Sequence, residues 1–259
     1  MLDNTNHHTR DSRIVFDEEP HIYYVDNNSV DISVTTLVHK YFSKFDADLI
    51  ISRMMRGKNW SSSKYFGMSV DEIKKQWKDA GNDATYHGTI MHKAIETFYN
   101  NETVEDENHI LTPEYHQFVK FNNDHIDKLK AYRTEWMVFD EDSNLAGSID
   151  MVFENTDDNT YSIYDWKRSK EIKTKNSFSK GVGLMRHLPD CNYVQYSLQL
   201  NIYKYILETK YNIFIRDMFL VVMHPNQTSY MKYEVMDLQT EVQQIFTERK
   251  LHLKSIGVE

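Results

Sequence analysis

A short β-hairpin in the middle of the chain does most to constrain the fold. Two alternating runs, Leu145–Phe153 and Tyr161–Lys167, flank the polar turn Asn155-Thr156-Asp157-Asp158-Asn159. Period-two alternation marks half-buried strands, and an Asn/Asp-rich break between them marks a turn. Folding the chain at 157/158 sets Asp150 opposite Asp165. Residues two apart on a strand share a face, so Lys167 points the same way as Asp165. Two carboxylates and an ammonium thus converge on one patch, with Ile149, Met151, Ile163 and Trp166 around them. Facing carboxylates are unfavourable unless compensated, and a divalent cation is the natural partner. Hard oxygen ligands suit Mg²⁺ or Mn²⁺. Such an ion acidifies water and offsets charge on a leaving oxygen, which points to phosphodiester hydrolysis. Lys167 would orient or deprotonate the attacking water, or stabilise the transition state. A bare D-x-K also occurs on ordinary solvated hairpins; the opposed Asp150 distinguishes this one.

The 259 residues predict one large domain, or one domain with an accessory lobe. The formal charge of −9 argues against a broadly nucleic-acid-binding surface, so any such surface is local. A lone Cys191 excludes a disulfide framework and any four-cysteine zinc or iron–sulfur site, and predicts a reduced, intracellular thiol. Met1–Arg10 is polar, without a signal-like apolar core, and His7-His8 reads as disordered tail. No stretch approaches the roughly 18 apolar residues of a membrane span. A phosphate-binding GxxxxGK(S/T) loop is missing too, which excludes an ATP-driven motor.

Along the chain, Ile14–Val25 and Val30–Val34 predict an N-terminal hairpin. Ser33 or Thr35 can cap a helix to Tyr41. Helices are predicted over Ala47–Arg56, Val70–Lys78 and Thr85–Tyr99. Glu102–Asn108 reads as a solvated acidic loop, and Pro113 opens a helix to about Lys130. Strands over Tyr132–Phe139, Leu145–Phe153 and Tyr161–Lys167 follow. After an irregular stretch come a helix Tyr193–Thr209, strands Arg216–His224 and Tyr230–Val235, and a closing helix Leu238–Leu253. This order fits an α/β core with a mixed sheet flanked by helices.

Further residues fall into groups. His92 and Glu96 share a helix face at spacing four and could complete a metal shell, or form an exposed pair. Gln195, Gln199 and Tyr203 make a polar stripe on an otherwise apolar helix, facing a cleft or solvent. Arg168, Lys170, Lys173, Lys175, Lys180 and Arg186 stand against one acid, Glu171, in a segment with Phe178 and a flexible Gly181-Val182-Gly183. Beside a metal site, such a basic loop could clamp a nucleic-acid backbone and stack a base. Asp140–Asn144 imitates a calcium loop but lacks its sixth-position glycine and twelfth-position glutamate.

Four of these patterns stand in a recognisable order. They are Gly88-Thr89-Ile90-Met91-His92-Lys93-Ala94-Ile95-Glu96, Gly147-Ser148-Ile149-Asp150, Asp165-Trp166-Lys167 and Gln199-Leu200-Asn201-Ile202-Tyr203. Together they resemble the G-x-x-x-H-x-x-x-E, G-x-x-D, D-x-K and Q-x-x-x-Y motifs of the PD-(D/E)xK nuclease superfamily, RecB-like branch, from about Ser33 to Val235. The resemblance implies a restriction-endonuclease-like core over 81–259, with a hairpin and helical lobe over 1–80. It implies metal ligation by His92, Asp150, Asp165 and the Trp166 carbonyl, and catalysis by Lys167 with Asp150 and Asp165, supported by Gln199 and Tyr203. Glu135 resembles an acidic residue often found on the preceding strand. Ser33-Val34-Thr35-Thr36-Leu37 resembles the corresponding stretch of mitochondrial genome maintenance exonuclease and its phage and large-virus relatives. The implied activity is a soluble Mg²⁺/Mn²⁺-dependent deoxyribonuclease without an iron–sulfur cluster, acting as a monomer on single-stranded or frayed DNA ends. Its setting would be replication, recombination or repair. An endonuclease on DNA or RNA, or a non-catalytic DNA-binding protein with a relic site, are the alternatives. Arg168, where a small residue is frequent, is expected to face away from Lys167.

Overall fold

The computed structural model describes residues 1–104 and 106–257; Glu105, in the acidic stretch, lies outside them. The chain divides into two compact units, Met1–Ser43 with Met91–Glu259, and Lys44–Ile90. This differs from the expected boundary at 80/81, because Ile32–Ser33 adds a strand to the central sheet and so ties the N-terminal hairpin to it.

The elements of the first unit begin with α1 (Leu2–Thr5), β1 (Ile14–Asp17), β2 (Ile22–Val25), β3 (Asn28–Ser29), β4 (Ile32–Ser33) and α2 (Val34–Lys40). Ser33 caps α2, its Oγ accepting from Thr36 N at 3.2 Å. In the second unit, α3 (Ala47–Arg56) is capped by Asp46, and Ile51 and Ile73 are buried. One helix, α4 (Val70–Asn100), replaces the two predicted over 70–78 and 85–99. Gly81 and Gly88 cost only about 1 kcal/mol each in a helix, too little to stop propagation. The part of α4 from Met91 belongs to the first unit.

The first unit continues with α5 (Pro113–His125), β5 (Leu129–Asp140), β6 (Leu145–Asn155), β7 (Tyr161–Arg168), α6 (Asn192–Lys210), β8 (Ile215–Met223), β9 (Met231–Glu234) and α7 (Gln239–Ser255). The predicted helix after Pro113 ends early, at His125, and β5 starts three residues before expectation. The sheet runs β4-β6-β7-β8-β9, with β5 on the other edge of β6. The β6–β7 register is Met151↔Tyr164 through Glu154↔Tyr161, as the turn predicts. β7 and β8 are parallel and joined through α6; the other long pairings are antiparallel. The result is the expected mixed sheet flanked by helices.

Alternation along β7 and β8 sends side chains to two cores. Ile163, Leu220 and Val222 join the aliphatic cluster with α2, α6 and α7. Tyr164, Trp166, Val221 and Met223 join an aromatic one with Met91, Ile95, Phe118 and Phe121 of α4 and α5. Two apolar faces bury a sheet on both sides.

Candidate metal and catalytic site

The site lies where β6 loses a neighbour. On one edge β6 pairs with β5 along its whole length. Its other edge pairs with β4 at Leu145 and Ala146 and with β7 from Met151 onward. Residues 147–150 lie in the gap. Gly147 admits the α6 tyrosine there: a Cβ on it would fall 2.9 Å from Tyr203 Cε1 and Oη. That contact joins the second and fourth motifs in space. Where the ladder opens, the Trp166 amide donates to Asp150 Oδ2 at 2.9 Å instead of to a strand partner.

Each side chain reaches this gap from a different element. α4 delivers His92, whose Nε2 lies 2.9 Å from the Trp166 carbonyl oxygen. Its Nδ1 faces Glu135 Oε1 at 3.5 Å and Asp150 Oδ2 at 3.7 Å. His92, Glu135 and Asp150 offer ligand atoms all within 4.8 Å of one another. Glu135 thus moves from the margin of the prediction to its centre. Its φ of +42° is left-handed, and it stands between the pairs Thr134↔Met151 and Trp136↔Ile149. A bulky residue in that region costs on the order of 1–3 kcal/mol, typical of a functional position. Ser148 Oγ donates to Glu135 Oε2 at 3.3 Å.

Asp165 is placed differently from expectation. It is buried, and Lys167 Nζ lies 2.7 Å from its Oδ2. That Oδ2 carries the ammonium, so the pair is buried and ionic. Asp165 is not among the three clustered ligands and pairs instead with Lys167. The ring of Tyr196, absent from the sequence-based candidates, lies 4.8 Å from Lys167 Nζ. Only its position one residue after Gln195 on the polar stripe could have signalled it.

The remaining candidates divide. Gln199 Nε2 donates to Tyr203 Oη at 3.4 Å, and Tyr203 is buried. Gln195 Nε2 is taken by Asp190 Oδ1 at 2.8 Å. Glu96 receives Lys93 Nζ at 3.1 Å and lies outside the ligand cluster; it lines a cleft of about 180 Å³ with Glu135 and Asn100. Arg168 faces away from Lys167 and is paired with the buried Glu114, so its guanidinium is committed inside the fold. Lys170, Lys173, Lys175 and Lys180 are exposed, and none has an ion-pair partner among the described residues.

The charges of the site are unbalanced. Burial works against the Lys167 ammonium, but Asp165 and Asp150 outweigh it and raise its pKa. Burial raises both aspartates despite Lys167 and His92. Burial also opposes the imidazolium of His92, yet Asp150 and Glu135 lift it to about 9. At neutral pH three carboxylates face the Lys167 ammonium and the His92 imidazolium, and a cation that displaces the His92 proton meets two net negative charges. Two negative charges and three clustered hard or borderline donors fit a divalent cation of the Mg²⁺ or Mn²⁺ type. His92, Glu135 and Asp150 would hold it, with Asp165 in reserve.

The family comparison agrees with this constellation. No curated protein sequence matches the chain. Among solved structures, the crystal structure of SSO0001 is similar at 14% identity and a TM-score of 0.30, over 86% of this chain and 76% of that one. A candidate exonuclease from Eubacterium rectale is similar at 9% identity and a TM-score of 0.38, over 66% of each chain. The PD-(D/E)XK nuclease superfamily profile matches residues 36–255, a span holding every residue of the site. With its sheet, its open strand gap and its acidic cluster, the chain belongs to the PD-(D/E)XK nuclease superfamily.

Proposed function

We propose that this chain is a Mg²⁺- or Mn²⁺-dependent deoxyribonuclease of the RecB-like type, acting as an exonuclease on single-stranded or frayed DNA ends in replication, recombination or repair. The observation that carries the reading is the His92–Glu135–Asp150 cluster beside the Asp165–Lys167 pair at the gap in β6. A bound divalent cation supplies acidified water and offsets phosphoryl charge. The chain's own residues do the rest. Lys167, held protonated between Asp165 and the Tyr196 ring, orients the nucleophilic water and offsets charge on a non-bridging oxygen. Tyr203 and Gln199 keep α6 against Gly147, three residues before Asp150 on β6. The neighbouring basic loop offers unpaired lysines to a phosphate backbone. Resemblance to mitochondrial genome maintenance exonuclease favours DNA ends over internal positions.

The test is product analysis with Mg²⁺ on 5′- and 3′-labelled oligonucleotides beside a covalently closed single-stranded circle. Stepwise shortening with an intact circle is expected; rapid cutting of the circle would defeat the exonuclease assignment. Glu135→Gln should weaken Mn²⁺ binding in calorimetry by about 10- to 100-fold, whereas Glu96→Gln should not.

A further inference from the structure

Phe178 is 99% exposed, more than any other large hydrophobic side chain among the described residues. A phenyl ring left in water forgoes about 1.5–3 kcal/mol of burial, and a slack loop would fold it inward. This loop is not slack. Asn176 Oδ1 accepts from Phe178 N at 2.9 Å and from Ser179 N at 3.2 Å, which makes a tight pedestal. Asn176 Nδ2 donates to the Asp190 carbonyl at 2.6 Å, and Ser179 Oγ donates to Asp190 Oδ2 at 3.2 Å. Lys180 and Pro189 form a bridge. Gly181 is needed for close packing, since a Cβ there would meet Met185 at 2.6 Å.

The pedestal is wired to the catalytic end. Asp190 Oδ1 accepts from Gln195 Nε2 at 2.8 Å, and the next residue, Tyr196, lies against Lys167. The loop starts where β7 ends, just after Lys167. The same segment carries Lys170, Lys173, Lys175 and Lys180, all exposed and with charges unpaired among the described residues. An aromatic surface held out by its backbone, in a segment of exposed cations, is complementary to a base flanked by phosphates.

We propose that Phe178 is a stacking platform for one base of a single-stranded DNA substrate, with Lys175 and Lys180 taking adjacent phosphates. The proposal rests on the nuclease reading above and names how that site holds its strand. Its test is fluorescence anisotropy in EDTA with a dT oligonucleotide and an abasic oligonucleotide of equal length, alongside cleavage assays with Mg²⁺. Wild type should prefer dT over the abasic strand by about 5- to 100-fold, the range of one aromatic–base stack. Phe178→Ala should erase that preference without weakening abasic binding, and Phe178→Trp should restore it. Being fully exposed, the ring is dispensable for folding. If Phe178→Ala keeps the preference while wild type cleaves DNA, stacking is overturned and the nuclease reading stands. If wild type neither binds nor cleaves either strand, both fall.

Discussion

Two segments of this chain look alike in sequence and behave oppositely in the fold. Residues 1–13 and 169–190 are both polar and irregular, and both read as loose. The first is fastened along the free edge of β5. Asn6 Nδ2 donates to the Tyr132 carbonyl at 2.8 Å, and Arg10 Nη2 to that of Phe139 at 3.2 Å. Asp11 accepts from Arg133 Nη1 at 2.6 Å and from Trp136 Nε1 at 2.9 Å. His8, expected in a disordered tail, packs against Tyr211 with ring centroids 4.7 Å apart. An edge strand with unpaired amides and carbonyls is a liability, and this segment covers it. The second segment holds its backbone tightly and leaves its lysines open. One segment spends its charges inside the molecule; the other keeps them for something outside it.

That contrast can be broken or sharpened by mutation. The largest effect is expected at the root of the basic loop: Lys167→Ala should lower Mg²⁺-dependent cleavage by about 10²- to 10⁴-fold in single-turnover assays. Activity within threefold of wild type would remove Lys167 from the chemistry. Next comes Asp11→Ala, which strands the buried Arg133 guanidinium and the Trp136 indole. A loss of about 3–5 kcal/mol in urea unfolding is expected. A loss under about 1 kcal/mol would mean that the N-terminal segment is merely draped on the sheet.

His92 tests the boundary between committed and available charge. Its folded pKa of about 9 exceeds the usual 6.5, so its contribution to metal-free stability is complete below 6.5 and disappears as pH rises through 9. In EDTA, the stability gap between wild type and His92→Gln should therefore shrink by on the order of 2 kcal/mol from pH 6 to pH 9.5. The same proton competes with a cation, so Mn²⁺ affinity should rise with pH over that range, with proton release on binding. A pH-independent gap would place His92 outside the Asp150–Glu135 field. The smallest effects belong to the loop lysines. Lys170→Gln and Lys173→Gln should each change stability by less than about 0.5 kcal/mol. Each should also lower the salt dependence of DNA binding by about one unit of slope. Unchanged slopes would show that these cations do not meet phosphates.

How much was legible follows from the range of the interactions. The 145–167 hairpin and its register were readable, because a period of two and a five-residue polar turn are local and one slip would reverse every face. The spacing of Gly147, Asp150, Asp165, Lys167, Gln199 and Tyr203 was readable as motif. Less legible was who touches whom. Asp165 read as a ligand equal to Asp150, and the fold pairs it with Lys167 beside the His92–Glu135–Asp150 cluster. Arg168 read as a substrate contact until the buried Glu114, 54 residues away, claimed it. Glu135 enters the cluster through a left-handed backbone that no residue pattern announces. The break read between Lys78 and Thr85 was bridged by helix cooperativity.

Residue order alone determined the strands, the amphipathic helices and the set of groups available for chemistry, because periodicity and turn preference act over a few neighbours. Tertiary structure alone decided which carboxylates share a cation, which charges are neutralised inside and which stay open. Those outcomes depend on partners distant along the chain and on burial, and electrostatic energy changes several-fold with both.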